Sequence, residues 1–351
     1  MIKGVITSEQ LKQEFNEVKQ SIKLKCKDFD NSCVVFVYNS LDNNAIDEVH
    51  RSECVYADEI ALISDALHSV RGLKVVLIDG EDQFIAQAPK LKNSYDNVYV
   101  YSMAQNLFGV GRRCFVPLVC EYYGFVNISS NSRSSFLGGD KKLMHQLLEN
   151  EVSLPHRLFL PENDINLAND FRRTVDAVLL KPNSESASIG IEKITKDVDD
   201  EDAKQIISKS LEEYKSVFLE EFIQGDEVEC AVLPWYDELY VSTPVKIVKQ
   251  GDYLDYTTVA YDQYDFEIYT GKMSKMIMEQ ALRAYFVLGF DSIARFDFMV
   301  NGNKTYLFDI TPNPTISKCS SANTALKQVS NDDRTIYQIL LFQKLLVPTL
   351  H

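Results

Sequence analysis

"FDFMVNGNKTYLFDITPN", residues 296–313, decides how the rest of the chain is read. Two apolar, β-prone runs flank Asn301 and Gly302, a pair that favours the backbone angles of a tight turn, so the stretch predicts a β-hairpin. Its two acids, Asp297 and Asp309, stand on strands that are otherwise mostly apolar. Side chains alternate faces along a strand, so Arg295 and Asp297 share one face, as do Asp309 and Thr311. A three-residue loop would set Arg295 opposite Asp309, with Asp297 diagonal to it and Phe296, Phe298, Phe308 and Ile310 filling the other face. Two carboxylates on one face repel unless a cation lies between them, and hard ions such as Mg²⁺ take one or two carboxylates plus substrate phosphates. On the hairpin alone, a solvated sheet face with an Arg295–Asp309 pair is an equal reading.

Two further stretches bear on that choice. "VLLKPNSESASIGIEKI" (178–194) runs strand, Lys181, Pro182, a polar small-residue loop, then strand. A lysine closing a buried strand puts an ammonium at the mouth of a cleft, and the loop's hydroxyls and N–H groups can wrap phosphates. "SVFLEEFIQGDEVECAVL" (216–233) places Glu220 and Glu221 at a strand end and a further acid, Glu227, after a glycine turn. It reads either as a linker whose backbone faces a purine edge or as an exposed hairpin with charged edges.

The surroundings fit a multi-domain α/β protein. A chain of 351 residues predicts two or three domains. "CVVFVY" (33–38), "LKVVLID" (73–79) and "NVYVYS" (97–102) are strands separated by helical stretches such as 53–70, the pattern of a parallel sheet. Before them, Ser8 is the expected N-cap of a helix with its stripe at Leu11, Phe15, Val18 and Ile22. A Ser/Asn/Gly cluster near 130 marks a boundary, and Asp140 caps the next helix. Later segments read as strands at 188–194 and 239–248, a long tyrosine-rich loop over 251–271, and helices over 273–288 and 334–346.

Composition excludes several functions. The net charge of −15, without a basic stripe, argues against nucleic acid as a partner. The apolar runs are too short to span a bilayer, and the N-terminus turns polar too soon for a signal peptide. Seven scattered cysteines form no CxxC pair and five histidines show no zinc spacing, so a reducing cytoplasm is the expected location.

Taken together and in order, these stretches resemble the ATP-grasp superfamily, and within it the D-alanine–D-alanine ligase-like carboxylate–amine ligases. "FLGGDKKLMHQLLENEVSLP" (136–155) is similar to the family's Asp-Lys helix, and "GVGRRCFVPLVCEYYGFVNIS" (109–129) to the end of its N-terminal domain. The resemblance implies an N-terminal Rossmann-like parallel-sheet domain (1–132), then a small (133–222) and a large (223–351) α+β ATP-grasp subdomain clasping ATP. It assigns Lys141 and Lys181 to the ATP phosphates, and Ser188 to the loop covering them. Glu220, with the backbone of Glu221 and Ile223, goes to the adenine, and Glu227 to the ribose. Asp297 and Asp309, with Thr311 and Asn313, go to Mg²⁺ (or Mn²⁺), and Arg295 to the anionic intermediate. The implied reaction joins a carboxylate, such as an amino acid, to an amine through an acyl phosphate, in a chain that related ligases suggest is a homodimer. An ATP-binding regulator and an ATP-grasp phosphotransferase are the alternatives.

The sequence departs from the family where Thr311 replaces a metal-binding Asn and Thr315 a Gly. Ser186-Ala187 replaces Gly-Ser, and no lysine lies between Lys249 and Lys272, where the ligases have a lid lysine. Glu48 and Glu53 are both candidates for greeting a substrate amino group. Arg112, Arg113, Ser320 and Ser321 are candidate anion binders.

Overall fold

The structure, a computed structural model, describes the chain except residues 1–3, 25–28, 43–47, 106–108, 161–165, 262, 317–319 and 347–351, and the side chains of 23, 24, 48, 49 and 52. The chain opens with β1 (Gly4–Ile6) and α1 (Ser8–Leu24). Thr7, not Ser8, caps α1: the Gln10 N–H donates to Thr7 Oγ1 and the Thr7 N–H to Gln10 Oε1, a reciprocal box that satisfies two otherwise orphaned donors.

Next come β2 (Ser32–Tyr38), α2 (Ala57–Leu67), β3 (Lys74–Asp79), α3 (Glu81–Ser94), β4 (Asn97–Ser102), α4 (Phe115–Tyr123) and β5 (Val126–Asn127). The four strands form a parallel sheet in the order β3-β2-β4-β5. Central β2 is buried along almost its whole length, which is why it reads as an unbroken apolar run. In the region expected to be helical from 53, Glu53 closes a 3₁₀ turn, Val55 bridges to Ser40, and α2 starts only at Ala57.

α5 (Ser132–Gly139) and α6 (Lys141–Leu148) lead to an antiparallel sheet, β6-β9-β7-β8. Asp140 caps α6 through the N–H groups of Lys142 and Leu143. The sheet is built from β6 (Arg157–Phe159), β7 (Ala177–Pro182), β8 (Glu192–Thr195) and β9 (Val217–Glu221), with α7 (Asn166–Arg172) and α8 (Asp200–Tyr214) between. β8 starts at Glu192 rather than Ser188, because Ala187, Ser188 and Gly190 all have positive φ and bend the backbone into a loop.

The remainder builds a seven-stranded sheet from β10 (Asp226–Trp235), β11 (Glu238–Val241), β12 (Val245–Lys249), β13 (Tyr264–Ile268), β14 (Ala294–Asn301), β15 (Lys304–Pro312) and β1. The helices are α9 (Tyr256–Ala260), α10 (Ser274–Leu288), α11 (Ser321–Leu326) and α12 (Thr335–Leu346). Two expectations fail here. The strand foreseen over 239–248 is broken between β11 and β12 at a stretch containing Pro244, which has no N–H for a ladder. The loop foreseen over 251–271 contains α9 and β13, with β13 paired to β12 along five residues.

The long β10 is the axis of this sheet. One edge pairs with β12 and then β11, the other with β14. One apolar core joins the start of the chain to its end: Phe15 stacks on Phe342 at 5.8 Å and meets Trp235 edge-on at 6.4 Å. Glu59 on α2 is buried beside this core, against Tyr337. Burial, aided by Asp58, pushes its carboxyl up to about 7 despite a hydrogen bond from Tyr337. A carboxyl raised in this way binds protons more tightly folded than unfolded, so it costs stability as pH climbs from 4.5 to 7. Glu59→Gln should therefore flatten the pH dependence of the denaturant midpoint in that interval, by about 3 kcal/mol at most, and leave stability at pH 4 little changed.

Candidate active site

A cavity of about 610 Å³ lies where the three sheets meet, with ten carboxylates and four cations among its lining side chains. The hairpin supplies its floor, in a register other than the one expected. Asn301 pairs with Lys304, so the loop is two residues, with Gly302 at φ +59 as such turns require. A bulge between Asp297 and Phe298 then sets two β15 residues against one. Asp297 consequently lies directly opposite Asp309, and Arg295 opposite Thr311 rather than Asp309. The bulge also turns Phe308 to the cavity, and Leu307 takes the place foreseen for it in the core.

Arg295 grips Asp297 with two parallel bonds, Nε to Oδ1 and Nη2 to Oδ2, both 2.8 Å. Burial pushes Asp297 up, more than Arg295 can offset, and Asp309 adds to the rise. The Arg295 guanidinium is held well above its ordinary value; burial works against this, but Asp297 and Glu229 outweigh it. Nη2 also reaches Thr311 Oγ1 at 3.4 Å. Asp309 is partly exposed, 3.8 Å from Lys141 Nζ. Burial would raise its pKa, but Lys141, Lys181 and the Ile310 N–H together bring it below the usual range. Asn313 lines the cavity, with its Oδ1 accepting the Ser130 N–H at 2.8 Å.

Lys181 on β7 and Glu220 on the antiparallel β9 meet at 2.6 Å; their ladder partners are Phe218 and Leu179, so the two sit diagonally on one face of the sheet. Arg157 holds the second Glu220 oxygen at 2.7 Å through Nε and donates to the Phe308 carbonyl, so it ties the antiparallel sheet to β15. Burial alone would raise Glu220, but Lys181 and Arg157 bring it down. Glu221 and Ile223 line the same wall, and Glu227 pairs with Lys249. Ser188 Oγ donates to the Leu254 carbonyl at 2.8 Å, linking the strained loop to the segment that carries α9. In that loop the Ser186 hydroxyl is buried without a partner.

At the N-terminal wall Glu53 is held by Arg112 at 2.7 Å and Arg113 at 3.8 Å, and Glu185 by Arg112 at 3.1 Å. The Glu48 side chain lies outside the described residues. Ser320 lines the cavity and caps α11 through the Asn323 N–H. Reading the sequence missed Glu229, Arg157, Lys249 and Glu185. Glu229 was findable: it lies two residues from Glu227 on one strand, hence on the same face. The partners Arg157 and Glu185 come from distant elements and left no local signal.

The chain matches the family model described as "D-ala D-ala ligase C-terminus" over residues 163–341, just over half its length, and belongs to that family. It is 25% identical to the D-alanine–D-alanine ligase of Flavobacterium psychrophilum over 169 residues, 46% of this chain and 49% of that protein. With the Thermotoga maritima D-alanine–D-alanine ligase it shares 20% identity, over 77% of this chain and 86% of that one. The chain spans about half the length of the first curated relatives it matches. Its fold is the ATP-grasp fold of solved D-alanine–D-alanine ligases. That of Bacillus anthracis in complex with ATP superposes with a TM-score of 0.68 at 16% identity, covering 89% of this chain and 97% of that one. The Vibrio cholerae D-alanyl-alanine synthetase A gives 0.70 at 15%, covering 90% and 99%.

Removing the Glu220 charge leaves Lys181 and Arg157 buried without their acid. Glu220→Gln should cost about 3–5 kcal/mol in urea unfolding at pH 7, and a loss under about 1 kcal/mol would contradict this account of the cluster.

Proposed function

We propose that the protein is an ATP-dependent carboxylate–amine ligase that activates a carboxylate, such as that of an amino acid, as an acyl phosphate. The observation that carries this reading is the pairing of Asp297 with Asp309 on the cavity floor, with Lys141 and Lys181 close by. A carboxylate is a poor electrophile. Its oxygen attacks the γ-phosphorus of ATP, the bond to the β-phosphate oxygen breaks, and ADP leaves. The amine then adds to the acyl carbon, phosphate departs with the electron pair of the C–O bond, and the amine loses a proton.

In this reading Lys141 and Lys181 bind phosphates, and the Ser186–Ser188 loop covers them. Glu220, Glu221 and Ile223 edge the adenine, and Glu227 the ribose. Arg295 and Lys181 offset charge that develops during transfer. Asp297 and Asp309 would hold the divalent ion, Mg²⁺ or Mn²⁺, with Thr311 and Asn313 next to them. The donor set fits: two hard oxygen acids face one another across the hairpin. That is the pattern of an ion completed by phosphates, and when bound it supplies charge neutralisation at the transferring phosphoryl group. The segment around Tyr253, Leu254 and Val259 closes the cavity and would keep water from the acyl phosphate.

The division into 1–132, 133–222 and 223–351 belongs to the same proposal, as do small-molecule substrates, a homodimer and a cytoplasmic location. No helix among the described residues is long and apolar enough to cross a membrane.

The test is phosphate release from Mg-ATP with pooled carboxylates and amines, with product masses read alongside. A product weighing acid plus amine minus water is expected. Asp297→Asn should lower ADP formation at least about a hundredfold. ATP binding without turnover in any pool would favour a regulator, and a stable phosphoester a phosphotransferase.

A further inference from the structure

One buried acid of the cavity has no task in the proposed reaction. Glu229 sits on β10, pairs across the ladder with Asp297, and Asp297 in turn faces Asp309. A row of three carboxylates therefore crosses β10, β14 and β15. Lys141 lies at the Asp309 end, and Ser321 beside Glu229 at the other.

The four cations lining the cavity are each engaged with another acid. Arg113 holds Glu53, Lys141 faces Asp309, Lys181 holds Glu220, and Arg295 forks onto Asp297. Glu229 receives Arg295 Nε, at 3.3 Å, and the Ser321 side chain. The residue is 5% exposed and forms part of the cavity wall, yet its Oε2 has no hydrogen-bond partner. A carboxylate desolvated to this degree is costly unless a cation or donor meets it. Asp58 and Glu59, in the N-terminal wall, add further acids.

Nucleotide binding does not relieve this. In the proposed reaction the phosphates and their ion draw on Lys141, Lys181, Asp297 and Asp309, and Arg295 serves the anionic acyl group. The remaining ligand is the amine. We infer, resting on the ligase reading, that Glu229 is a specificity residue that binds a second, non-reacting cationic group of the amine substrate. The preferred acceptors are then diamines and similarly cationic amines. An amine carrying a carboxylate in the place of that cation would set another anion against Glu229 and the neighbouring Asp297, and the site rejects it.

The test compares three amines of matched length, each with Mg-ATP and a carboxylate that supports phosphate release. These are 1,5-diaminopentane, pentylamine and 5-aminopentanoate. For the wild-type protein kcat/KM should be about tenfold or more higher for the diamine than for pentylamine, with 5-aminopentanoate lowest. In Glu229→Gln the ratio of diamine to pentylamine should fall towards one, and Glu229→Asp should keep part of it. A wild-type ranking without diamine preference overturns the inference, as does a Glu229→Gln protein that keeps the full ratio. If Glu229→Gln does not fold, the wild-type ranking decides, together with calorimetric binding of the diamine against pentylamine to the Mg-ADP-loaded protein. Phosphate release without the ranking overturns the role of Glu229 alone. No phosphate release with any pair overturns the ligase reading, and this inference with it.

Discussion

Charge taken out of water is the constraint on which this structure depends. Ten carboxylates and four cations line a single cavity, and an acid in such surroundings must find a cation or lose its charge. The protein answers case by case. Glu220 has two cations, Glu227 has Lys249, and Asp297 takes both prongs of Arg295. Glu220 meets its cations from the neighbouring strands β6 and β7 and Glu227 its lysine from β12, so these pairs also tie strands together, whereas Arg295 and Asp297 share β14. The remaining acids define where a bound cation is wanted, and the lysines where an anion is wanted.

The same pairs tie the sheets together. Arg157 leaves the antiparallel sheet on β6, holds Glu220 on β9, and donates to the Phe308 carbonyl on β15. Phe308 is there to be met because the bulge after Asp297 turns it out of the core, and Lys181 Nζ lies 5.1 Å from its ring centroid. One extra residue in one strand thus sets both the facing pair of acids and the aromatic wall beside them. Closure on the far side depends on contacts of a different kind. Ser188 holds the Leu254 carbonyl, while Lys193 pairs with Asp252 and lies 3.8 Å from the Phe222 ring centroid.

The N-terminal sheet is bound to the rest by apolar packing rather than by ions alone. α1, α2 and α12 share one core with residues of β10, and β1 extends the seven-stranded sheet by pairing parallel to β11. The first and last helices therefore depend on each other, Phe15 against Phe342, although more than 300 residues separate them. Large aromatics buried in this way contribute about 1.5–3 kcal/mol each.

What the sequence by itself determined is local. The parallel strands of the first third are legible because a strand buried on both faces must be apolar throughout, as in 33–38. Asp140 is legible as a cap because the unpaired N–H groups of a helix end need an acceptor. Asp297 and Asp309 are legible as oddities because a β-strand seldom keeps an acid among aromatics without use for it. Tertiary structure decided the rest. The hairpin register turned on a bulge that no turn residue announces, and it alone put Asp297 opposite Asp309. Pro244 and the pairing of β13 with β12 divided segments whose composition looked continuous. Arg157, Lys249 and Glu185 joined the site because ion pairing in a cleft is set by distance in space, and residues far apart in a chain carry no record of that distance in their spacing.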